Sequence, residues 1–214
     1  PVRFAVFRKG ATPTGEPEEV LRHGTDLFEA MYSPDGEYLV ARTGFGPGSF
    51  RRDILGFRLG TDSVIRVTEN EFNESAVSFS PDGGFLVYES DQTGRTEVYV
   101  RPFPNGDQGP WPVSTDGGVM PLWSRAGGEI FYIDSEKRMT VATVETNPTF
   151  SVTGRARLFP LPDDILFREL EWYTLYDYSP DHDRFMMIRV RDPGESEIEL
   201  TLKENWLFGS GGRQ

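Results

Sequence analysis

The 214-residue sequence predicts an all-β fold built from repeated four-stranded antiparallel units. Three observations carry that reading. A short pattern of the form aromatic-Ser-Pro-Asp-Gly recurs along the chain, and an apolar run follows each copy in the same register. The composition agrees: 23 Gly, 16 Pro and 13% aromatic residues suit a chain of many turns and many strands.

The first copy is Tyr32-Ser33-Pro34-Asp35-Gly36 and the second is Phe79-Ser80-Pro81-Asp82-Gly83. It returns in degraded form as Trp123-Ser124-Arg125-Ala126-Gly127 and as Tyr178-Ser179-Pro180-Asp181-His182, at Ser-to-Ser intervals of 47, 44 and 55 residues. In each unit the aromatic residue and Ser end a first strand. Pro then presets φ, Asp can accept a hydrogen bond from the backbone two residues on, and Gly takes the positive φ of a tight turn. At His182, where Gly is expected, the reading is a turn residue tolerant of positive φ. The second strand follows at once, at 38–41, 85–88, 130–133 and 185–188, and its near-continuous apolar character marks burial on both faces. Third strands are expected at 53–57, 96–100, 140–144 and 198–202, with short fourth strands at 64–68, 111–114 and 157–159. Sustained helical periodicity is absent, although 164–171 could hold one helical turn.

Four short antiparallel strands every ~40–50 residues is the period of a β-propeller blade. The expected organisation is a single propeller domain over 1–208 with a flexible tail at 209–214. Residues 1–24 supply the outer strands of a shared blade, 25–70, 71–115 and 116–161 are full blades, and 162–208 is the last one. The strands at 2–7 and 18–22 read as the third and fourth of a blade whose first three strands lie at the C-terminus. Pairing 18–22 with the last sheet would close the ring and remove a free edge. The competing expectation is the C-terminal part of a larger propeller, which the missing start Met favours. Tyr32, Phe79, Trp123 and Tyr178 share one register and are expected between adjacent blades.

These residues resemble TolB-like, WD-repeat-like propellers, whose repeat has this form. The stretch from Tyr88 through Gly94-Arg95-Thr96-Glu97-Val98-Tyr99 to Pro104 is more specific, as are Pro148-Thr149-Phe150-Ser151 and Glu204-Asn205-Trp206. Together they resemble the C-terminal propeller region of bacterial serine/threonine protein kinases and related signalling proteins. The resemblance covers about 28–206 and implies a bacterial propeller that binds something, while family members differ widely in what they bind. Kinase chemistry itself is missing from the chain: it has no Gly-rich phosphate loop, no His-Arg-Asp and no Asp-Phe-Gly.

Charge and composition exclude further classes. With 22 basic and 34 acidic residues the net charge is −12, which repels phosphate backbones and anionic lipid heads, so nucleic acid is not an expected partner. No apolar run reaches the length of a membrane helix, so direct membrane insertion is not expected either. The absence of Cys removes disulfides, thiolate nucleophiles and Cys-based metal sites, and no cofactor motif is present. A cysteine-free chain is compatible with an extracytoplasmic or periplasmic location, which is favoured here over a cytoplasmic one.

With two His in all, His23 and His182, and no Gly-x-Ser-x-Gly elbow, a Ser-His-Asp triad has few ways to assemble. More promising are the loops that enter each first strand, which converge on one mouth of a propeller channel. They carry Asp26, Asn73, Glu74, Asp116 and Glu171 seven or eight residues before the motif Ser, or one position on. Converging carboxylates could hold a divalent cation or a basic peptide. Trp172 and Tyr173 lie in the insertion of the 55-residue unit and are candidates for partner contact. Arg51-Arg52, after a Gly-rich loop, is a lesser candidate, and the repeated Asp35, Asp82 and Asp181 read as turn residues. The expected function is a binding or sensing module for a protein, peptide or small ligand, and not an enzyme. A glycosidase or lactonase using channel-mouth carboxylates is the alternative, and a self-assembling scaffold is the second.

Overall fold

The computed structural model describes residues 4–10, 14–44, 51–165, 174–188 and 201–203. Among these the chain forms seventeen strands and no helix, in five antiparallel sheets. A two-stranded ribbon comes first, β1 (Phe4–Arg8) with β2 (Glu18–His23). Three four-stranded sheets follow in simple meander order. They are β3 (Leu27–Tyr32), β4 (Tyr38–Thr43), β5 (Ile54–Arg58) and β6 (Val64–Arg66); then β7 (Glu74–Phe79), β8 (Phe85–Ser90), β9 (Glu97–Pro102) and β10 (Trp111–Pro112); then β11 (Gly118–Trp123), β12 (Glu129–Asp134), β13 (Arg138–Glu145) and β14 (Ser151–Pro160). The last sheet holds β15 (Tyr176–Ser179), β16 (Arg184–Met187) and β17 (Thr201–Lys203). The helical turn expected at 164–171 is a turn and a bridge as far as Ile165, and its remainder lies outside the described residues, as do Glu204-Asn205-Trp206 and the 209–214 tail.

The motif builds its turn as its chemistry dictates. Ser33 Oγ donates to Asp35 Oδ1 at 2.5 Å and accepts from the Tyr38 amide at 2.9 Å. Ser80 repeats this with Asp82 and the Phe85 amide at 2.6 and 2.9 Å. Gly36, Gly83 and Gly127 all take φ between 73° and 77°, so the third unit keeps the turn without Pro-Asp. The fourth departs from expectation: Asp183 at φ 49°, not His182, occupies the left-handed position. His182 Nδ1 instead lies 3.0 Å from Ser179 Oγ, in the role that the motif Asp plays elsewhere.

Each inner strand of the three full sheets carries a bulge. The register with the second strand shifts between Phe28 and Met31, Ser75 and Ser78, and Val119 and Leu122. At each bulge a residue four before the motif Ser adopts positive φ: Glu29 at 52°, Ala76 at 53° and Met120 at 53°. Two residues there oppose one across the ladder, which bends the strand and re-aims its side chains and amides.

The second strands β4, β8 and β12 are buried from their second residue onward, as the apolar runs predict. Neighbouring sheets bury one another's faces. Val40, Ile54 and Val67 of the first full sheet pack with Val77, Leu86, Tyr88, Tyr99 and Phe103 of the second. Val87, Val98, Val100 and Val113 of the second pack with Trp123, Ile130, Tyr132, Ala142 and Val144 of the third. Phe131, Ile133 and Met139 of the third pack with Tyr176 and Phe185 of the last.

The aromatic register is only partly what the sequence predicts. Trp123 is 3% exposed, against Phe85 and Phe150 with ring centroids 6.1 Å away in each case. Phe79 and Tyr178 are half-buried, against Phe103 at 5.4 Å and Phe131 at 4.5 Å. Tyr32, in contrast, is 45% exposed. The motif aromatic turns toward the preceding sheet. For Tyr32 the described residues there supply only the β1–β2 ribbon, whose Val6 and Leu21 cover Leu39, Ala41, Leu55 and Phe57 instead.

Pairing of residues 18–22 with the last sheet is not seen among the described residues. β2 is hydrogen-bonded to β1 and stands with it as a ribbon before β3, while β17 pairs with β16. Among the described residues the sheets do not close into a ring.

Trp123→Ala should cost about 3–5 kcal/mol by loss of packing between the second and third full sheets. Tyr32→Ala, at the equivalent but uncovered position, should cost under about 1 kcal/mol. Urea midpoints of the two variants measure this, and equal losses would reinstate a uniform aromatic register.

Candidate functional site

In an antiparallel sheet the loop entering the first strand and the loop joining the second to the third lie at the same end. At that end, between the second and third full sheets, a cleft of about 700 Å³ opens. The entering loops place Asn73 and Asp116 in it, two of the residues singled out from sequence. The second-to-third loops add Asp91 and Arg95 on one side, and Asp134 and Lys137 on the other. Arg52 reaches it through a parallel bridge with Asn73, and the Glu89 side chain of β8 forms part of its wall.

The remaining sequence candidates are not gathered there. Asp26 lies outside the cleft lining, its carbonyl accepting from the Gly44 amide at 2.9 Å. Glu74 is fully buried rather than at a mouth, with Ser90 Oγ donating to its Oε1 at 3.0 Å. Side chains alternate along a strand, so the residue after Asn73 faces away from the cleft. Glu171, Trp172 and Tyr173 lie outside the described residues.

Most acids of the cleft already have work. Asp91 accepts from the Asn73 amide and side chain at 2.9 and 2.8 Å. Asp134 Oδ1 accepts from the amides of Glu136 and Arg138 at 2.9 and 3.0 Å, and its Oδ2 meets Arg157 at 3.0 Å. Asp116 is the outward exception: its side chain is 90% exposed, with Arg95 Nη2 3.6 Å away. Among the described residues no group of three or more His, Asp or Glu could hold a metal ion. Asp91 and Asp134, two acids of this mouth, are bonded to neighbouring amides and, at Asp134, to the Arg157 guanidinium.

Behind the cleft, carboxylates of one sheet hold backbone amides of the next. Glu89 Oε2 accepts from the Met120 amide at 2.8 Å, while its Oε1 accepts from Ser75 Oγ at 2.8 Å. Glu97 Oε1 accepts from the Gly117 amide at 3.0 Å and from Arg95 Nε at 2.6 Å. One interface earlier, Glu29 Oε2 accepts from the Ala76 amide at 3.2 Å and pairs with buried Arg42 at 2.9 Å. Burial raises the Glu29 carboxyl to about 7, against the opposing pull of the Arg42 charge and its hydrogen bonds. None of these Glu residues stands out by spacing, because each pairs with a partner in the following repeat.

No family model matches the sequence. The sheet order and meander define the blades of a β-propeller, and solved structures refine that class. TolB from Acinetobacter baumannii superposes with a TM-score of 0.59 at 16% identity, over 94% of this chain and 50% of that one. Oligogalacturonate lyase in complex with manganese gives 0.58 at 16% identity, over 82% of this chain and 48% of that one. A puromycin-hydrolysing peptidase from Mycobacterium tuberculosis gives 0.58 at 18%, over 85% and 30%. The fold is that of TolB-like β-propellers, and the chain spans about half the length of the TolB and lyase structures. The expectation that the chain is not an enzyme does not stand. The same fold occurs in a lyase and a peptidase, so it gives no ground for excluding catalysis. Among the described residues no helix is long and apolar enough to cross a membrane.

The Glu29 shift has a defined sign. Between its ordinary 4.5 and about 7 the folded chain keeps a proton that the unfolded chain has released. Its contribution to stability therefore falls as pH rises across that window and is level above it. Glu29→Gln should remove up to about 3 kcal/mol of that pH dependence. Urea midpoints of both proteins between about pH 4.5 and 8 measure it, and parallel profiles would contradict the assignment.

Proposed function

We propose that the protein is a binding module whose ligand is a mixed-charge peptide segment of a partner protein, seated in the cleft between the second and third full sheets. The observation that carries this is the cleft itself. It offers about 700 Å³, rimmed by exposed Asp116 against Arg95 and Lys137, on a rigid wall of packed strands. A concave site with a few oriented polar groups on a fixed scaffold suits recognition. Acidic and basic groups on both of its sides favour a segment bearing both signs. A hydrolase acting through mouth carboxylates is not better supported, since Asp91 and Asp134 serve neighbouring amides. A place within a larger bacterial signalling or envelope protein, outside the cytoplasm, belongs to the same proposal. The kinase-associated resemblance and the cysteine-free sequence support it.

Selection from a displayed library of random dodecamer peptides tests the reading. Wild-type protein should enrich sequences bearing both acidic and basic residues. Asp116→Lys and Lys137→Glu, both at exposed side chains, should each weaken the enriched peptides by about tenfold or more in calorimetry without lowering Tm. No enrichment, or unchanged affinity in both variants, would remove this function from the cleft.

A further inference from the structure

Four bonds in the sequence join Asp or Asn to Gly: Asp35–Gly36, Asp82–Gly83, Asn105–Gly106 and Asp116–Gly117. Such a pair can cyclise, because glycine has no Cβ to keep its backbone nitrogen away from the preceding side-chain carbonyl. The reaction needs that nitrogen free, and in three of the four pairs it is engaged. Gly36 and Gly83 donate their amides to the Ser33 and Ser80 carbonyls, at 2.9 Å in each case, and Gly117 donates to Glu97 Oε1 at 3.0 Å. The Asp35 and Asp82 carboxylates are taken as well, by the motif Ser hydroxyls and by the Glu37 and Gly84 amides.

Asn105–Gly106 differs on both counts. It lies in the loop between β9 and β10, where Asn105 is exposed. Among the described residues neither the Asn105 side chain nor the Gly106 amide has a hydrogen-bond partner. Asn70 and Asn73 are each followed by Glu and are tied down. Asn70 Oδ1 accepts from the Phe72 amide at 2.7 Å, and the Asn73 side chain donates to Asp91 at 2.8 Å. Gly106 is gripped from its far side. Arg101 Nη2 donates to its carbonyl at 3.1 Å, while Nη1 donates to the Val67 carbonyl of the first full sheet. Arg101 Nε is buried without a hydrogen-bond partner. That positive charge, bonded to the same residue, favours loss of the Gly106 amide proton, the step that makes the nitrogen a nucleophile.

We propose that Asn105 is a site of spontaneous deamidation in the folded protein. The Gly106 nitrogen gives its proton to solvent base and attacks Asn105 Cγ. A new N–C bond forms, the bond from Cγ to the side-chain nitrogen breaks, and that nitrogen takes up a proton and leaves as ammonia. Water then opens the cyclic imide at either carbonyl, giving aspartate or isoaspartate. Either product sets a carboxylate next to the residue that Arg101 grips, where its guanidinium spans the first and second full sheets.

Peptide mass mapping, with methylation by an isoaspartyl methyltransferase as a second readout, tests this on folded protein and on protein unfolded in urea at the same mildly alkaline pH. In the folded chain the Asn105 amide should be lost and isoaspartate should accumulate there, while Asn70, Asn73, Asp35, Asp82 and Asp116 stay unchanged. Asn105→Gln should abolish the methyl-accepting signal of the folded protein, and in urea the three Asp–Gly bonds should begin to contribute isoaspartate. An Asn105 amide retained in the folded chain but lost in urea would overturn the proposal, because the fold would then protect the bond. Equal isoaspartate at the Asp–Gly bonds of the folded chain, or a methyl-accepting signal that survives Asn105→Gln, would overturn it by showing that free and engaged amides react alike.

Discussion

The stacking of sheets in this protein depends on what satisfies the backbone amide at each inner-strand bulge. The bulge turns that amide out of its own ladder, and a buried N–H without an acceptor is costly. Ala76 and Met120 solve the problem in the same way, by taking a carboxylate from the preceding sheet: Glu29 for the first and Glu89 for the second. A charged acceptor strengthens the bond and fixes its direction. Apolar faces would let sheets slide on one another, whereas these bonds pin bulge to strand and hold the loop ends in register. The cleft between the second and third full sheets follows from that alignment, with Glu89 in its wall.

How much of this was legible beforehand depended on whether the determinants were local. The Ser-Pro-Asp-Gly turn is closed by residues within five positions, so Ser33, Asp35 and Tyr38 could be read from order alone. The strands β4, β8 and β12 announce themselves as apolar runs. The bulge amides are different: Glu89 and Met120 are 31 residues apart and Glu29 and Ala76 are 47 apart, in partnerships with no local signature. Tyr32 failed for a related reason. Its register is right, but exposure is set by the neighbouring sheet and not by the residue's own strand.

The candidate site shows the same division. Asn73 and Asp116 were found by position before the motif, yet half of the same rim comes from the turns between second and third strands. Asp91, Arg95 and Lys137 could have been reached by noting that both loop sets share one end of an antiparallel sheet. Glu74 belonged to the right loop and the wrong face, and a one-residue step in a strand is enough for that. Lyase, peptidase and TolB structures share this architecture, so the fold by itself does not fix the function.

The chemistry joining the sheets also changes along the repeat. The first interface uses a buried carboxylate–guanidinium pair, Glu29 with Arg42, whose guanidinium also stands 5.1 Å from the Phe28 ring. The second uses Glu89 with a hydroxyl and an amide. At the third, the position corresponding to Glu89 is Ile133, and the contacts reverse polarity. Tyr176 Oη donates to the Met120 carbonyl at 2.8 Å and Thr174 Oγ1 to the Pro121 carbonyl at 3.0 Å. Burial holds the Tyr176 hydroxyl far above its ordinary range, so that contact stays neutral at any physiological pH. Sensitivity to protons in this network is therefore polarised: it resides where Glu29 anchors the first interface and is absent from the Tyr176 contact at the third.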